Sequence, residues 1–185
     1  YVKQLFDFQK QFVIIGNMNA ITYKEIFPRI MENKMWLWSS NFNNGMYFKV
    51  PDDFVYTASY KFDREIDGQK VNRVPWVCWF SNIDHGRRHQ PIPLMTMAEN
   101  LKFNKQLKAN STSYQRYENY DAIEVPYTSA IPSDYKGAMG VPISFLDKYN
   151  PEQFNIIKFR HGDDDKDLRF QNWSSPYFRI IISHK

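Results

Sequence analysis

The sequence predicts an α/β fold, and three observations carry that prediction. A helical stretch, an unbroken apolar run and a second helical stretch follow one another between Tyr1 and Met31. That alternation is how a layered α/β domain looks when entered partway through. Beyond it lie short apolar runs set apart by turn residues, as strands and hairpins require. The 185 residues, 43% of them hydrophobic and 17% aromatic, are enough for one domain with a real core, or a domain and a small appendage.

Val2, Leu5, Phe6 and Gln9 follow helical spacing, so residues 1–10 are predicted to be the tail of an amphipathic helix. Residues 12–15 are apolar without interruption and end at Gly16. In this setting they predict a strand buried on both faces, the habit of a parallel sheet covered by helices. Thr22 with Glu25 three residues on predicts a capping box, followed by Ile26, Phe27, Ile30 and Met31 on one face, with Pro28 kinking or shortening the helix. Residues 35–38 and 46–50 predict strands around the polar turn 41–45. Asp67-Gly68, between Phe62/Ile66 and Val71, predicts a hairpin. Residues 74–80 predict one apolar strand with Pro75 near its start. Residues 83–140 carry prolines at 91, 93, 126 and 132 and little periodicity, so loops are expected there. Asn150-Pro151-Glu152 predicts a helix start, and residues 156–159 and 177–182 close the chain as strands.

Composition narrows the chemistry. Cys78 is the sole cysteine, which excludes an internal disulfide framework and a cysteine zinc cluster, and its apolar run predicts a buried, inert thiol. No apolar stretch approaches the ~18 residues of a membrane helix, and no signal peptide opens the chain, so a reducing cytoplasm is expected. A net charge of +4 permits a polyanionic partner without requiring one. The chain opens on Tyr1 inside what looks like mid-domain structure, and is expected to be a piece of a longer protein.

Several stretches resemble the EcoRI type of adenine-specific DNA methyltransferase. They are Phe12-Val13-Ile14-Ile15-Gly16-Asn17-Met18-Asn19 through Thr22-Tyr23-Lys24-Glu25, Glu32-Asn33-Lys34-Met35-Trp36-Leu37, and Tyr117-Glu118-Asn119-Tyr120-Asp121-Ala122-Ile123. The longest runs from Gly137 through Met139-Gly140-Val141-Pro142-Ile143-Ser144-Phe145-Leu146 to Asn150-Pro151-Glu152-Gln153-Phe154. Lys166-Asp167-Leu168 and Pro176-Tyr177-Phe178-Arg179-Ile180 match in the tail. Together they cover nearly the whole chain in order.

The resemblance implies the second half of a class I (Rossmann-like) S-adenosylmethionine methyltransferase sheet with an appended DNA-recognition region. Residues 1–82 would be late strands and helices of the catalytic sheet, and 83–185 a loop-rich recognition and C-terminal region. It implies methylation of the adenine N6 amino group in a restriction–modification or phage setting, with S-adenosylmethionine as cofactor and double-stranded DNA as partner. The family's catalytic Asn-Pro-Pro-Phe segment and glycine-rich cofactor loop are absent from these 185 residues. By the resemblance they lie upstream of Tyr1, so no catalytic residue is assigned within the chain and the isolated chain is expected to be inactive. A monomer without metal is expected.

An enzyme acting on a duplex base must extrude it, which calls for phosphate contacts, stacking rings and base-edge readers. Residues 82–89 place Arg87, Arg88, His85 and His89 directly after a strand, and arginine suits phosphate or guanine. Arg87, Arg88 and His89 are therefore candidate DNA contacts. The competing expectation is a solvated turn in which Asp84 pairs Arg87. A metal held by His85 and His89 is disfavoured, because that spacing binds metal only on a helix with further ligands. Lys102, Lys105 and Lys108 at spacing three predict one side of a helix. Arg116 follows, and 110–113 reads as a flexible loop. These make either a backbone-tracking clamp or a plain exposed helix. Asn17 and Asn19 are candidate cleft-lining residues, against simple turn chemistry after Gly16. Tyr47, Phe48, Trp36 and Trp38 lie on the hairpin strands after the helix, where the resemblance implies that an aromatic can be offered to the flipped base, although most of these rings must be core. The acidic run 161–167 predicts a polar turn rather than a calcium loop. The rival readings are a non-enzymatic DNA-binding module and, more distantly, a nuclease built on 163–167. An upstream Asn-Pro-Pro-aromatic motif would separate the first two.

Overall fold

The chain begins as its apolar spacing requires, with α1 (Val2–Asp7), whose Val2, Leu5 and Phe6 pack on the main core. Gln9, at φ 51, turns the backbone out of the helix. The computed structural model describes residues 1–38, 45–55, 64–110, 113–160, 168–172, 174, 176 and 178–185. The expectations for turn residues 41–44, Phe62, the acidic run 161–167 and Tyr177 lie outside the described residues.

The first sheet has the order β1-β6-β2, with β1 (Val13–Asn17), β2 (Trp36–Leu37) and β6 (Val77–Ser81). Both β1 and β2 run antiparallel to β6, so they are parallel to each other, joined through α2 (Phe27–Met31). β1 is not buried on both faces as expected. Val13 and Ile15 are about two-fifths exposed, because among the described residues β1 pairs only with β6. Thr22 does not cap α2. It ends a 3-10 turn, Met18–Thr22, and its hydroxyl donates to the Asn19 carbonyl, while α2 starts five residues later with Pro28 in its first turn rather than as a kink.

The second sheet, order β3-β5-β4, comprises β3 (Met46–Lys49), β4 (Arg64–Ile66) and β5 (Gln69–Val74). The Asp67-Gly68 hairpin is present, with both residues at positive φ as a two-residue turn demands. Two expectations change here. β2 and β3 belong to different sheets rather than flanking a common turn, and 74–80 is not one strand. Pro75 and Trp76 form a turn between β5 and β6, and Trp76 takes φ 60, a conformation that costs an L-residue about 1–2 kcal/mol.

The region expected to be loops holds α3 (Met97–Phe103), α4 (Lys105–Asn110) and β7 (Ala122–Glu124). A full capping box starts α3: Thr96 Oγ1 accepts from Glu99 N, and the Glu99 carboxylate accepts from Thr96 N. That Thr-x-x-Glu signal is plain in the sequence. β7 joins β8 (Ala138–Pro142), β9 (Phe154–Arg160) and β10 (Arg179–His184) in a sheet of order β7-β8-β10-β9, where β7 and β8 are parallel and the other neighbours antiparallel. Asn150 starts no helix. Its side chain accepts from Glu152 N, its carbonyl accepts from Gln153 N and Phe154 N, and β9 follows at once.

One core runs from Phe12 to Ile182 and joins the first sheet to the last, with α2 between them: the Phe27 ring lies 5.2 Å from that of Phe159. Cys78 is fully buried there, and burial pushes its thiol up to about 12, as expected of an inert cysteine. On the far face of the last sheet sits a smaller cluster of Tyr117, Ala122, Leu168 and Ile181. Beside it Arg179 donates from Nε and Nη2 to the Glu124 carboxylate, at 2.6 Å for the shortest, and the Tyr117 hydroxyl donates to the same carboxylate. A Cβ at Gly140 would collide with that hydroxyl, so only glycine lets Tyr117 reach Glu124. Burial and the adjacent carboxylate push the Tyr117 hydroxyl up, keeping it a donor. Replacing one partner of such a pair strands the other. Glu124→Ala is expected to cost about 3–5 kcal/mol in urea unfolding. A loss below ~1 kcal/mol would show that the pair contributes nothing to the sheet.

Candidate nucleic-acid interface

The loop after β6 is built from side chains that return to the sheet. Ser81 Oγ donates to the Phe12 carbonyl at 2.8 Å and accepts from Ile83 N at 2.9 Å. Asn82 spans the start of β1, accepting from Phe12 N and donating to the Lys10 carbonyl. Trp36 Nε1 donates to the Ile83 carbonyl at 2.9 Å, and the His85 ring contacts the Leu37 carbonyl through Nε2 at 3.2 Å. The loop is thereby fixed to β1 and β2 before it turns through the 3-10 segment Gly86–His89.

The two arginines of that segment have opposite fates. Arg88 is 7% exposed, its guanidinium 3.8 Å over the Trp36 ring, donating to Asp84 at 2.9 Å and to the Asn33 carboxamide. Arg87 is half-buried and donates to Asp147 at 2.9 Å. The alternative expectation, Asp84 pairing Arg87, is therefore corrected: Asp84 holds Arg88 and His89 instead. Burial raises the Asp147 carboxyl against the lowering effect of Arg87 and Lys148.

His89 is exposed and sits between two carboxylates, Asp84 at 2.9 Å on Nε2 and Glu152 at 3.0 Å on Nδ1. An imidazole with an acceptor at each nitrogen must donate from both, so the cation is favoured and its pKa rises above the ordinary 6.5. The Arg88 and His89 hydrogen bonds hold Asp84 down at about 2. Between this loop, the turn Thr128–Ala130 and the end of the turn Ile143–Lys148 lies an open cavity of about 310 Å3, lined by Arg87, Gln90, Ile92, Thr128, Ser129 and Lys148. Gln153 locks its rim by a two-way amide pairing with the Ile92 backbone, 2.8 and 2.9 Å. The sequence reading missed Thr128, Ser129 and Lys148, which come from turns with no motif of their own.

The three lysines do not share one helix. Asn104 ends α3 and accepts from Leu107 N at the start of α4, so Lys102 lies on α3 and Lys105 on α4, both exposed. Lys108 is also on α4, whose last residue is Asn110 rather than part of a loop. Arg116 is exposed and pairs with Asp121 beside a second cavity with Gln115 and Phe170. Asn17 and Asn19 are exposed at the end of β1, where Asn17 Oδ1 accepts from Asn19 N at 2.8 Å. Trp36 is the bed for Arg88, Trp38 lies edge-on to His85, and Tyr47 and Phe48 are each about one-third exposed on β3. Among the described residues there is no group of three or more potential metal ligands and no helix long and apolar enough to cross a membrane.

The His89 bridge has a defined pH window. The raised His89 pKa contributes stability below 6.5 that is lost as pH climbs through the folded value. The depressed Asp84 pKa contributes above 3.8 and is lost on approach to about 2. The loop is thus tightest between those two ordinary values. In an NMR titration His89 is expected above 6.5, and Asp84→Asn to bring it down. A His89 value indifferent to Asp84→Asn would refute the bridge.

Comparison with known proteins bears on this arrangement. The family model for the adenine-specific methyltransferase EcoRI matches residues 1–175. The chain is 43% identical over its whole length to the type II methyltransferase M.EcoRI of Escherichia coli, covering 53% of that protein. It is 34% identical to M.MpnI of Mycoplasma pneumoniae, over 85% of this chain and 46% of that one, and 32% identical to M.MgeORF184P of Mycoplasma genitalium, over 98% and 59%. The chain therefore spans about half the length of these curated relatives. No solved structure matches it. Matched along nearly all its length by one family model and by three type II methyltransferases, the chain belongs to the EcoRI family of adenine-specific methyltransferases.

Proposed function

We propose that this chain is the C-terminal half of an S-adenosylmethionine-dependent DNA adenine N6-methyltransferase of a restriction–modification system, bearing late strands of the catalytic sheet and the DNA-recognition surface. The observation that carries the reading is the 84–89 loop. A buried Arg88 holds it, and Arg87 and His89, whose pKa its two carboxylate partners raise, stand beside a cavity edged by Lys148. Cations on a braced strand-end loop suit the phosphates of duplex DNA, with which arginine and lysine form charge-assisted contacts. Arg88 acts through the loop as a positioning residue, while Lys102, Lys105, Lys108 and Arg116 would meet the backbone further out.

The first sheet supports the catalytic half of the proposal. β1 and β2 run parallel through a helical crossover with β6 reversed between them, as mixed edges of otherwise parallel sheets do. We assign 1–82 to that sheet and 83–185 to recognition. The division is one of role, since a single core crosses it. The residues present do not make a full site for the cofactor. Gly16 sits against the Phe80 ring and the Asn17 carboxamide oxygen caps its own turn, so this strand end supplies no glycine-rich cofactor loop. The methyl donor's main binding motif would come from the other half, and Asn17 and Asn19 would line the shared cleft. The protein would act as a cytoplasmic monomer on double-stranded DNA.

The test is methyl transfer from labelled S-adenosylmethionine to duplex DNA by the full-length protein and by this chain in parallel, with the salt dependence of DNA binding measured alongside. Activity confined to the full-length protein is expected, with Arg87→Ala weakening binding and reducing the log–log salt slope by about 0.9 per lost phosphate contact. Salt-sensitive binding without methylation in either form would favour a DNA-binding module instead. An unchanged slope in Arg87→Ala would remove the loop from the interface.

A further inference from the structure

We infer that the cavity lined by Gln115, Arg116, Phe170, Gln171 and Asn172 reads the edge of a base pair in duplex DNA, which rests on the DNA-methyltransferase reading above. The cavity is open, of about 490 Å3, and lies beside the smaller cluster on the far face of the last sheet. Its lining is one ring, one cation and three primary amides. A phosphate site calls for several cations, whereas here the single cation, Arg116, is already paired with Asp121. Carboxamides each carry a donor and an acceptor, as base edges in the major groove do, and glutamine and asparagine pair with them in two-bonded fashion. An aromatic face among the amides suits the methyl group of thymine.

The amides are unspent. Neither the Gln115 nor the Gln171 side chain makes a hydrogen bond among the described residues, and Asn172 uses only its oxygen, which accepts from Ser174 N and Oγ. Exposed amides alone are ordinary surface, and the difference here is the floor beneath them. The Phe170 ring stacks on that of Tyr117, with centroids 5.4 Å apart and planes at 28°. Tyr117 is buried and donates to Glu124, which also holds Arg179. That buried ion pair, which no other part of the proposed activity uses, thereby fixes the ring. The walls are tied as firmly. Glu124 N donates to the Gln115 carbonyl at 2.8 Å, Glu118 N to the Arg169 carbonyl at 2.8 Å, and Phe170 N to the Ser174 carbonyl at 3.0 Å. Arg169 N donates to the Asn119 carboxamide oxygen at 2.9 Å. Two segments far apart in the chain are thus held across one gap with their amides pre-positioned, which lowers the ordering cost of binding. Sequence reading passed over Gln115, Gln171 and Asn172 because only the fold brings them together.

The same chemistry would suit a base edge of the duplex or the adenine of the cofactor, and we assign the duplex. The test compares the full-length protein with its Gln115→Ala/Gln171→Ala double variant. Each methylates genomic DNA that carries no N6-methyladenine, and single-molecule sequencing locates the methylated adenines. The unsubstituted protein is expected to mark one sequence motif. Because both side chains are exposed and unbonded, the double variant is expected to melt at the same temperature. Its discrimination against sequences that differ from the motif at one particular base pair should fall about tenfold or more, the loss expected when two-bonded base contacts are removed. The salt slope of DNA binding and the affinity for S-adenosylhomocysteine should stay as they were. A motif unaltered in the double variant overturns the assignment. So does an affinity loss equal on all sequences with a shallower salt slope, which would make the contact one to phosphate. A loss confined to S-adenosylhomocysteine would make the cofactor the ligand and overturn it equally. If the unsubstituted full-length protein methylates no DNA, the underlying reading fails, and the assignment of the cavity with it.

Discussion

The guanidinium of Arg88 lies 3.8 Å over the Trp36 ring, with Asp84 and Asn33 bonded to its two ends, and the geometry of the candidate interface depends on that contact. Asn33 belongs to the turn after α2 and takes φ 56, and Trp36 opens β2, so Arg88 ties the 84–89 loop to a sheet strand and the helix behind it. Arg88 Nε and His85 Nδ1 are buried without a hydrogen-bond partner among the described residues. Each such atom costs roughly 1–3 kcal/mol, so the loop is held by contacts strong enough to tolerate two of them. A planar, always-charged fork over an aromatic face is a role that lysine cannot fill.

From that anchor the outward residues take their places. Asp84 is oriented by Arg88 and in turn bonds His89, whose other nitrogen reaches Glu152 just before β9. Arg87 reaches Asp147 at the end of the turn leading from β8. The loop thus bridges the first sheet and the last, and the shared core keeps those sheets at fixed separation. The charged face is pre-formed rather than assembled on contact, which limits the ordering cost of binding an anionic partner.

Legibility in the sequence followed how local each cause was. Asp67-Gly68 was readable because a two-residue turn is specified by the two residues themselves. Cys78 was readable because its apolar neighbours predict burial. β1 was located but its burial was not, since Val13 and Ile15 have the same composition whether their face is covered or open. Lys102, Lys105 and Lys108 kept helical spacing in the text while Asn104 broke the helix between them. Arg87 and Arg88 are adjacent and chemically identical, and only Trp36 and Asn33, some fifty residues away, decide which is buried. The family resemblance supplied the function that spacing alone could not, whereas the cavity at Lys148 and the turn at Trp76 needed the fold.

Amide hydrogen exchange on the full-length protein and its Arg88→Lys variant tests the central claim most directly. The substitution keeps the charge and removes the planar fork, so exchange is expected to accelerate across 84–90 while β8 and β10 stay protected. Unchanged protection across 84–90 would contradict the account and show that the loop holds its shape without the Arg88–Trp36 contact.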